Sequence, residues 1–127
     1  MADHGTFYWN ELMTRDVEAA KRFYGATLGW GFSEMPMPDG VYHLALLGDK
    51  MVGGIFDIGA PAFDGVPESW FAYIAVDDLD ARLAKLREAG GTVDREPWDV
   101  PGVGRIAIVS DVNGATMGWI VPAAPSA

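Results

Sequence analysis

Few residues in this 127-residue chain are equipped for chemistry, and their positions narrow the options quickly. Cysteine is absent, which excludes thiol nucleophiles, thiolate metal sites and disulfides. The two histidines are His4, near the N-terminus, and His43, in the middle of a strand-like run. Ser33, Ser69 and Ser110 lie in no nucleophile elbow, with no histidine placed to activate them. Gly53-Gly54 is not followed by Lys-Ser/Thr and so lacks the pattern that cradles phosphates. Glu11, Tyr73 and Arg105 remain as catalytic candidates. Glu11 alternates with Phe7, Trp9 and Met13, and desolvation among aromatics would raise its pKa as a general base requires. It could instead reach solvent, or pair with Arg15 or Arg105. Arg105 follows Gly102-Val103-Gly104, so a loop could bring its guanidinium to an anionic group, or Asp99 or Glu96 could hold it. Tyr73 could hydrogen-bond a ligand or simply pack.

The elements that must position these residues can be read from periodicity. Thr6 to Met13 alternates as a strand. Thr14-Arg15-Asp16 caps a helix in which Val17, Ala20, Phe23, Tyr24 and Leu28 recur at helical spacing, and Gly29 ends it. Strands follow at Trp30 to Ser33, Val41 to Leu47 and Met51 to Ile58. Between the first two, Met35-Pro36-Met37-Pro38-Asp39-Gly40 reads as a loop with an Asp39-Gly40 turn, because prolines remove ladder donors. Its methionines suit an adaptable lid. Gly59 to Glu68 is a Pro/Gly connector. Trp70 to Val76 is the next strand, followed by a helix over Asp78 to Ala89 with Leu79, Leu83 and Leu86 on one face and Gly90-Gly91 as its stop. Thr92 to Glu96, Arg105 to Ser110 and Ala115 to Val121 complete the set, the last two joined through Asn113-Gly114. Residues beyond Pro122 read as a short frayed tail.

The order strand, helix, three strands therefore occurs twice. A shift of 62 positions (78 less 16) carries Asp16 to Asp78, Gly29 to Gly91 and Trp9 to Phe71. The expected fold is α+β: two tandem βαβββ modules, about 6–58 and 69–122, joined by connector 59–68 within a single domain 1–127. Half the residues are hydrophobic and 16 are glycine, which suits a packed, turn-rich domain. The formal charge of −9 opposes binding to nucleic acid or anionic membrane, where clustered Lys and Arg supply affinity. There is no apolar run of the ~20 residues a membrane helix needs, and no signal-peptide pattern. A cytoplasmic protein is expected.

Asp16-Val-Glu-Ala-Ala-Lys-Arg-Phe-Tyr-Gly-Ala-Thr-Leu-Gly-Trp30 resembles the first helix of the vicinal oxygen chelate superfamily, which holds glyoxalase I, bleomycin-resistance proteins and extradiol dioxygenases. Ala75-Val-Asp-Asp-Leu-Asp-Ala81, Glu88-Ala-Gly-Gly91 and Asp111-Val-Asn-Gly114 are similar to its second module. Pro97-Trp-Asp-Val-Pro-Gly-Val-Gly-Arg105 resembles a glyoxalase-like subgroup catalogued as hydroxylases. The resemblance implies a half-barrel, or bowl, with helices outside and the ligand within, and a homodimer. It also implies, in metal-dependent members, a divalent ion held by one ligand from the first and one from the last strand of each module, usually two His and two carboxylates.

Carried over residue by residue, those positions fall at Trp9, Phe71, Gly118 and, by the same shift, near Phe56. None can ligate a metal, and Asp57 beside Phe56 points to the other strand face. No metal site and no cofactor are expected. The ligand-binding candidates are Trp9, Glu11, Phe71, Tyr73, Trp98, Arg105 and Gly118, with Trp70 and Trp98 at the pocket mouth. The expected function is binding of a small apolar or planar molecule in an aromatic bowl. The alternatives are an enzyme of the same superfamily (lyase, isomerase or dioxygenase-like) using Glu11, Tyr73, Arg105 or an atypical metal site, and a protein-interaction module.

Overall fold

Two aspartates start the two helices. Asp16 and Asp78 each accept a hydrogen bond from the backbone three residues on, at Ala19 and Ala81, in the N-cap geometry that satisfies an orphan amide. Gly29, at φ 76°, closes the first helix in the left-handed conformation that an L side chain resists. The computed structural model describes residues 3–37 and 40–123. Its elements are β1 (Phe7–Thr14), α1 (Val17–Leu28), β2 (Gly31–Met37), β3 (Gly40–Leu47), β4 (Lys50–Asp57), β5 (Ser69–Ala75), α2 (Leu79–Glu88), β6 (Thr92–Val100), β7 (Gly104–Ser110) and β8 (Thr116–Pro122), with a single 3-10 turn, Pro61–Phe63, in the connector. The twofold βαβββ order and the α+β class are those read from the sequence. Asp39 of the expected turn, and the tail beyond residue 123, lie outside the described residues.

The chain divides into two compact units, Asn10–Phe71 and the remainder, so that β1 and β5 each contribute to both. In the α1 unit the strand order is β2-β3-β4-β1, with β1 parallel to β4. Its core joins Leu12, Val17 and Ile55 with the half-buried Ala20, Tyr24 and Phe32. In the α2 unit the order is β5-β8-β7-β6, with β5 parallel to β8. There Leu79, Leu83 and Leu86 pack on Val76, Ala107 and Val109. Each of these leucines removes a side chain from water, worth ~1.5–3 kcal/mol apiece.

Three expectations change. Met35-Pro36-Met37 is not a lid loop but the end of β2, in register with Tyr42, Val41 and Gly40 of β3. As β2 lies at the end of its unit's strand order, Pro36 costs no ladder bond on the side facing away from β3. The strand expected over Thr92 to Glu96 is longer, since β6 runs to Val100 and leaves only residues 101–103 as the turn. Two bulges, between Val93 and Arg95 and between Arg95 and Trp98, absorb the extra residues. Finally, the helical stripe of α1 is only partly buried: Phe23 and Leu28 are 58% and 53% exposed. Tyr24 instead stacks on Trp30 (5.2 Å) and meets Trp70 edge-on, whose indole N–H donates to the Tyr24 hydroxyl at 3.1 Å.

Candidate functional site

Strand register sorts the side chains of each unit into a helix face and an opposite sheet face. In the α2 unit Ala107, Val109, Met117 and Trp119 pack toward α2. The residues between them therefore face away. Two rows cross that face: Tyr73, Gly118, Ile108 and Arg95 in one, and Ala75, Ile120, Ile106 and Trp98 in the next. In the α1 unit Leu12 and Ile55 pack toward α1, so the matching row on the far side is Glu11, Gly54, Leu44 and Ser33.

The two glycines in these rows are not vacant positions. A Cβ on Gly118 would overlap the Tyr73 ring, and a Cβ on Gly54 would overlap the Tyr42 hydroxyl and ring. Each glycine is thus the floor on which a tyrosine lies, a close approach that only hydrogen at Cα permits. Register also corrects one carried-over position. Gly118 sits opposite Tyr73 as Gly54 sits opposite Glu11, so the last-strand position of the first repeat is Gly54 rather than Phe56. The last strands are related by 64 positions (118 less 54), two more than the helix caps, because the connections before them differ in length.

The divalent ion used by metal-dependent members does not fit these residues. Trp9, Phe71, Gly54 and Gly118 offer no donor, and tyrosines fill the space above the two glycines. Among the described residues no group of three or more His, Asp or Glu converges as a metal cage.

The remaining candidates separate. Glu11 is buried, at 7% exposure, beside Gly54, and Thr14 is the other buried polar residue of that strand. Trp9 and Phe71 are half-buried, in different units. Trp98 lies on the sheet face of the α2 unit, and Trp70 stands with Tyr24 and Trp30 on the helix side of the α1 unit. Arg105 pairs at 3.6 Å with both Asp80 of α2 and Asp99. It alternates with Ala107 and Val109, so it belongs to the helix face. Asp99 was one of its expected partners; Glu96 bonds Arg87 instead.

Arg95 was missed by sequence reasoning. Its guanidinium lies 3.6 Å over the Trp98 ring, a cation–π stack on the sheet face. Simple alternation from Val93 would send Arg95 toward α2. The first bulge reverses it, and the second brings Trp98 to the same side.

The carboxylates with displaced pKa values lie where the helices start. The Thr14 hydroxyl, then the Arg15 amide, hold Glu68 below the usual range. Hydrogen bonds from Arg82 hold Asp77 lower still. Glu68 borders an open helix-side groove of about 410 Å³ beside Phe23, Tyr24 and Trp70, and Arg82, the partner of Asp77, borders one of about 240 Å³ beside Ile74 and Trp119.

Comparison with known proteins accords with this geometry. "Putative glyoxylase CFP32" of Mycobacterium tuberculosis is 44% identical over 120 residues, covering 94% of this chain and 45% of that protein. "Anthracycline biosynthesis protein DnrV" of Streptomyces peucetius is 37% identical over 114 residues, covering 87% and 39%. The chain thus spans less than half the length of these curated relatives. A methylmalonyl-CoA epimerase of Streptomyces coelicolor, solved with 2-nitronate-propionyl-CoA, superposes with a TM-score of 0.68 at 17% identity, covering 98% of this chain and 99% of that one, which shows a shared fold. The sequence model of the Glyoxalase/Bleomycin resistance protein/Dioxygenase superfamily matches residues 5–117, and the chain belongs to that superfamily.

Proposed function

We propose that this chain binds a small planar or apolar molecule on the sheet faces opposite its helices, and does so without a metal. The observation that carries this is the pair of tyrosine-covered glycines at the last-strand positions: Tyr42 over Gly54 and Tyr73 over Gly118 stand where ligating side chains would be needed. What the face offers a ligand is aromatic and aliphatic area, from Tyr73, Trp98, Ile106 and Ile108, with a few polar groups at its edges. A relative named for anthracycline biosynthesis supports a planar ligand, since an anthracycline is a fused-ring aromatic. Homodimerisation and a cytoplasmic location go with the proposal.

Thermal shift against a panel of planar aromatics, with elemental analysis of the same preparation, tests it. A ligand that binds only the folded state raises the apparent Tm. The expected result is a saturable rise with a planar compound in protein free of stoichiometric divalent metal. A tightly held ion at one equivalent per chain would contradict it.

A second reading is favoured by one specific observation, the burial of Glu11. A desolvated carboxylate on the ligand-bearing side is placed for proton transfer, as in a lyase or isomerase. Glu11→Gln would then abolish turnover of a bound substrate while leaving its binding within a few-fold.

A further inference from the structure

We infer that the sheet face of the α2 unit selects an anionic group on its planar ligand, with Arg95 as the recognition residue and Trp98 as the platform that orients it. This rests on the small-molecule reading above and narrows its ligand to an aromatic ring system bearing a carboxylate or phenolate.

Three observations support the assignment. The guanidinium lies 3.6 Å over the Trp98 ring, a cation–π contact on the sheet face, and a guanidinium carries its N–H donors in a planar fork suited to a carboxylate. Arg95 is also the cation at the end of the row Tyr73, Gly118, Ile108, Arg95, so a flat ligand resting on that row has its charged end directed to it. Third, the carboxylates of β6 near Arg95 each have another hydrogen-bond or ion-pair partner. Asp94 accepts from the Ser110 hydroxyl at 2.5 Å, Glu96 is bonded by Arg87 at 2.9 Å, and Asp99 pairs with Arg105 at 3.6 Å. In a chain of net charge −9, Arg95 thus offers a cation whose nearby carboxylates on β6 have partners of their own. Both bulges in β6 serve this arrangement, since without them Arg95 and Trp98 would lie on opposite faces.

The closing experiment compares 2-naphthoate with its neutral isostere 2-naphthamide by calorimetric titration of the whole chain, in wild type and in Arg95→Gln, Arg95→Lys and Lys50→Gln. The expected result is naphthoate binding about 10-fold tighter than naphthamide to wild type, with the preference weakening as salt is raised. Arg95→Gln should remove the preference, Arg95→Lys should keep part of it, and Lys50→Gln, an exposed cation at the start of β4, should leave it intact. Equal binding of the two probes to wild type, or a preference that survives Arg95→Gln, overturns the assignment while leaving the planar-ligand reading standing. Failure of both probes to bind overturns the two together.

Discussion

The two units share one βαβββ order and differ on both sides of their sheets. On the helix side, α2 docks through three leucines no more than 7% exposed, whereas α1 buries Val17 alone and leaves Phe23 and Leu28 largely in water. On the sheet side, the row Glu11, Gly54, Leu44, Ser33 answers the row Tyr73, Gly118, Ile108, Arg95 position by position. One half presents a buried carboxylate, the other a phenol and a stacked cation. Duplication has preserved the strand register and the glycine floor, while the chemistry-bearing side chains have diverged. What the repeat fixes is the place where a sheet-face residue stands, not its type.

The largest effect that would sharpen this contrast is in the helix docking. Leu83→Ala should destabilise the protein by ~2–5 kcal/mol, the range for a fully buried leucine. Phe23→Ala, at an exposed position, should cost well under ~1 kcal/mol. Denaturant unfolding measures both. Native-state hydrogen exchange should also show slower amides in α2 than in α1. Equal protection of the two helices would break the comparison.

Next come the glycine floors. Gly118→Ala meets the body of the Tyr73 ring and should cost ~1–3 kcal/mol, as overpacking does. Gly54→Ala first meets the hydroxyl end of Tyr42, which can swing aside, so its cost should be the smaller. In a Tyr73→Ala background the cost of Gly118→Ala should largely vanish, because the two changes act on one contact. A strictly additive cycle would mean that the tyrosine does not need the glycine.

The smallest effect is electrostatic. Glu68 and Asp77 both have folded pKa values below their unfolded ones, so their stabilisation is full above about pH 4–5 and is lost as pH falls through the folded values. Glu68→Gln should flatten the acid limb of the stability profile by lowering stability at pH 7–8 while leaving it nearly unchanged near pH 2. Urea unfolding across pH 2–7 reads the difference. A stability loss on raising the pH, restored by Glu68→Gln, would have the wrong sign.

Much of the fold was legible because its determinants are local. The Asp caps, the terminal glycine of α1 and the Leu79, Leu83, Leu86 stripe declare themselves at helical spacing, and the 62-residue shift repeats them. The site was less legible because it depends on register. Two connections of unequal length move the last-strand position from Phe56 to Gly54. Two bulges, with no signature in the alternation, turn Arg95 and Trp98 to one face. Edge placement lets Met35-Pro36-Met37 remain strand despite its proline. The position of Arg105 was within reach, since it alternates with Ala107 and Val109 and so belongs to the helix face.

The claim that matters most is that a planar ligand binds these aromatic sheet faces with no metal between. Calorimetric titration of chelator-treated protein with 2-naphthamide, repeated after adding back a divalent ion such as Mn²⁺ or Ni²⁺, tests it most directly. The predicted result is saturable binding to the chelated protein with an affinity the added ion leaves unchanged, and about 10-fold weaker binding in Trp98→Ala, which loses a stacking surface worth on the order of 1–1.5 kcal/mol. Binding that appears only once the ion is restored would contradict it.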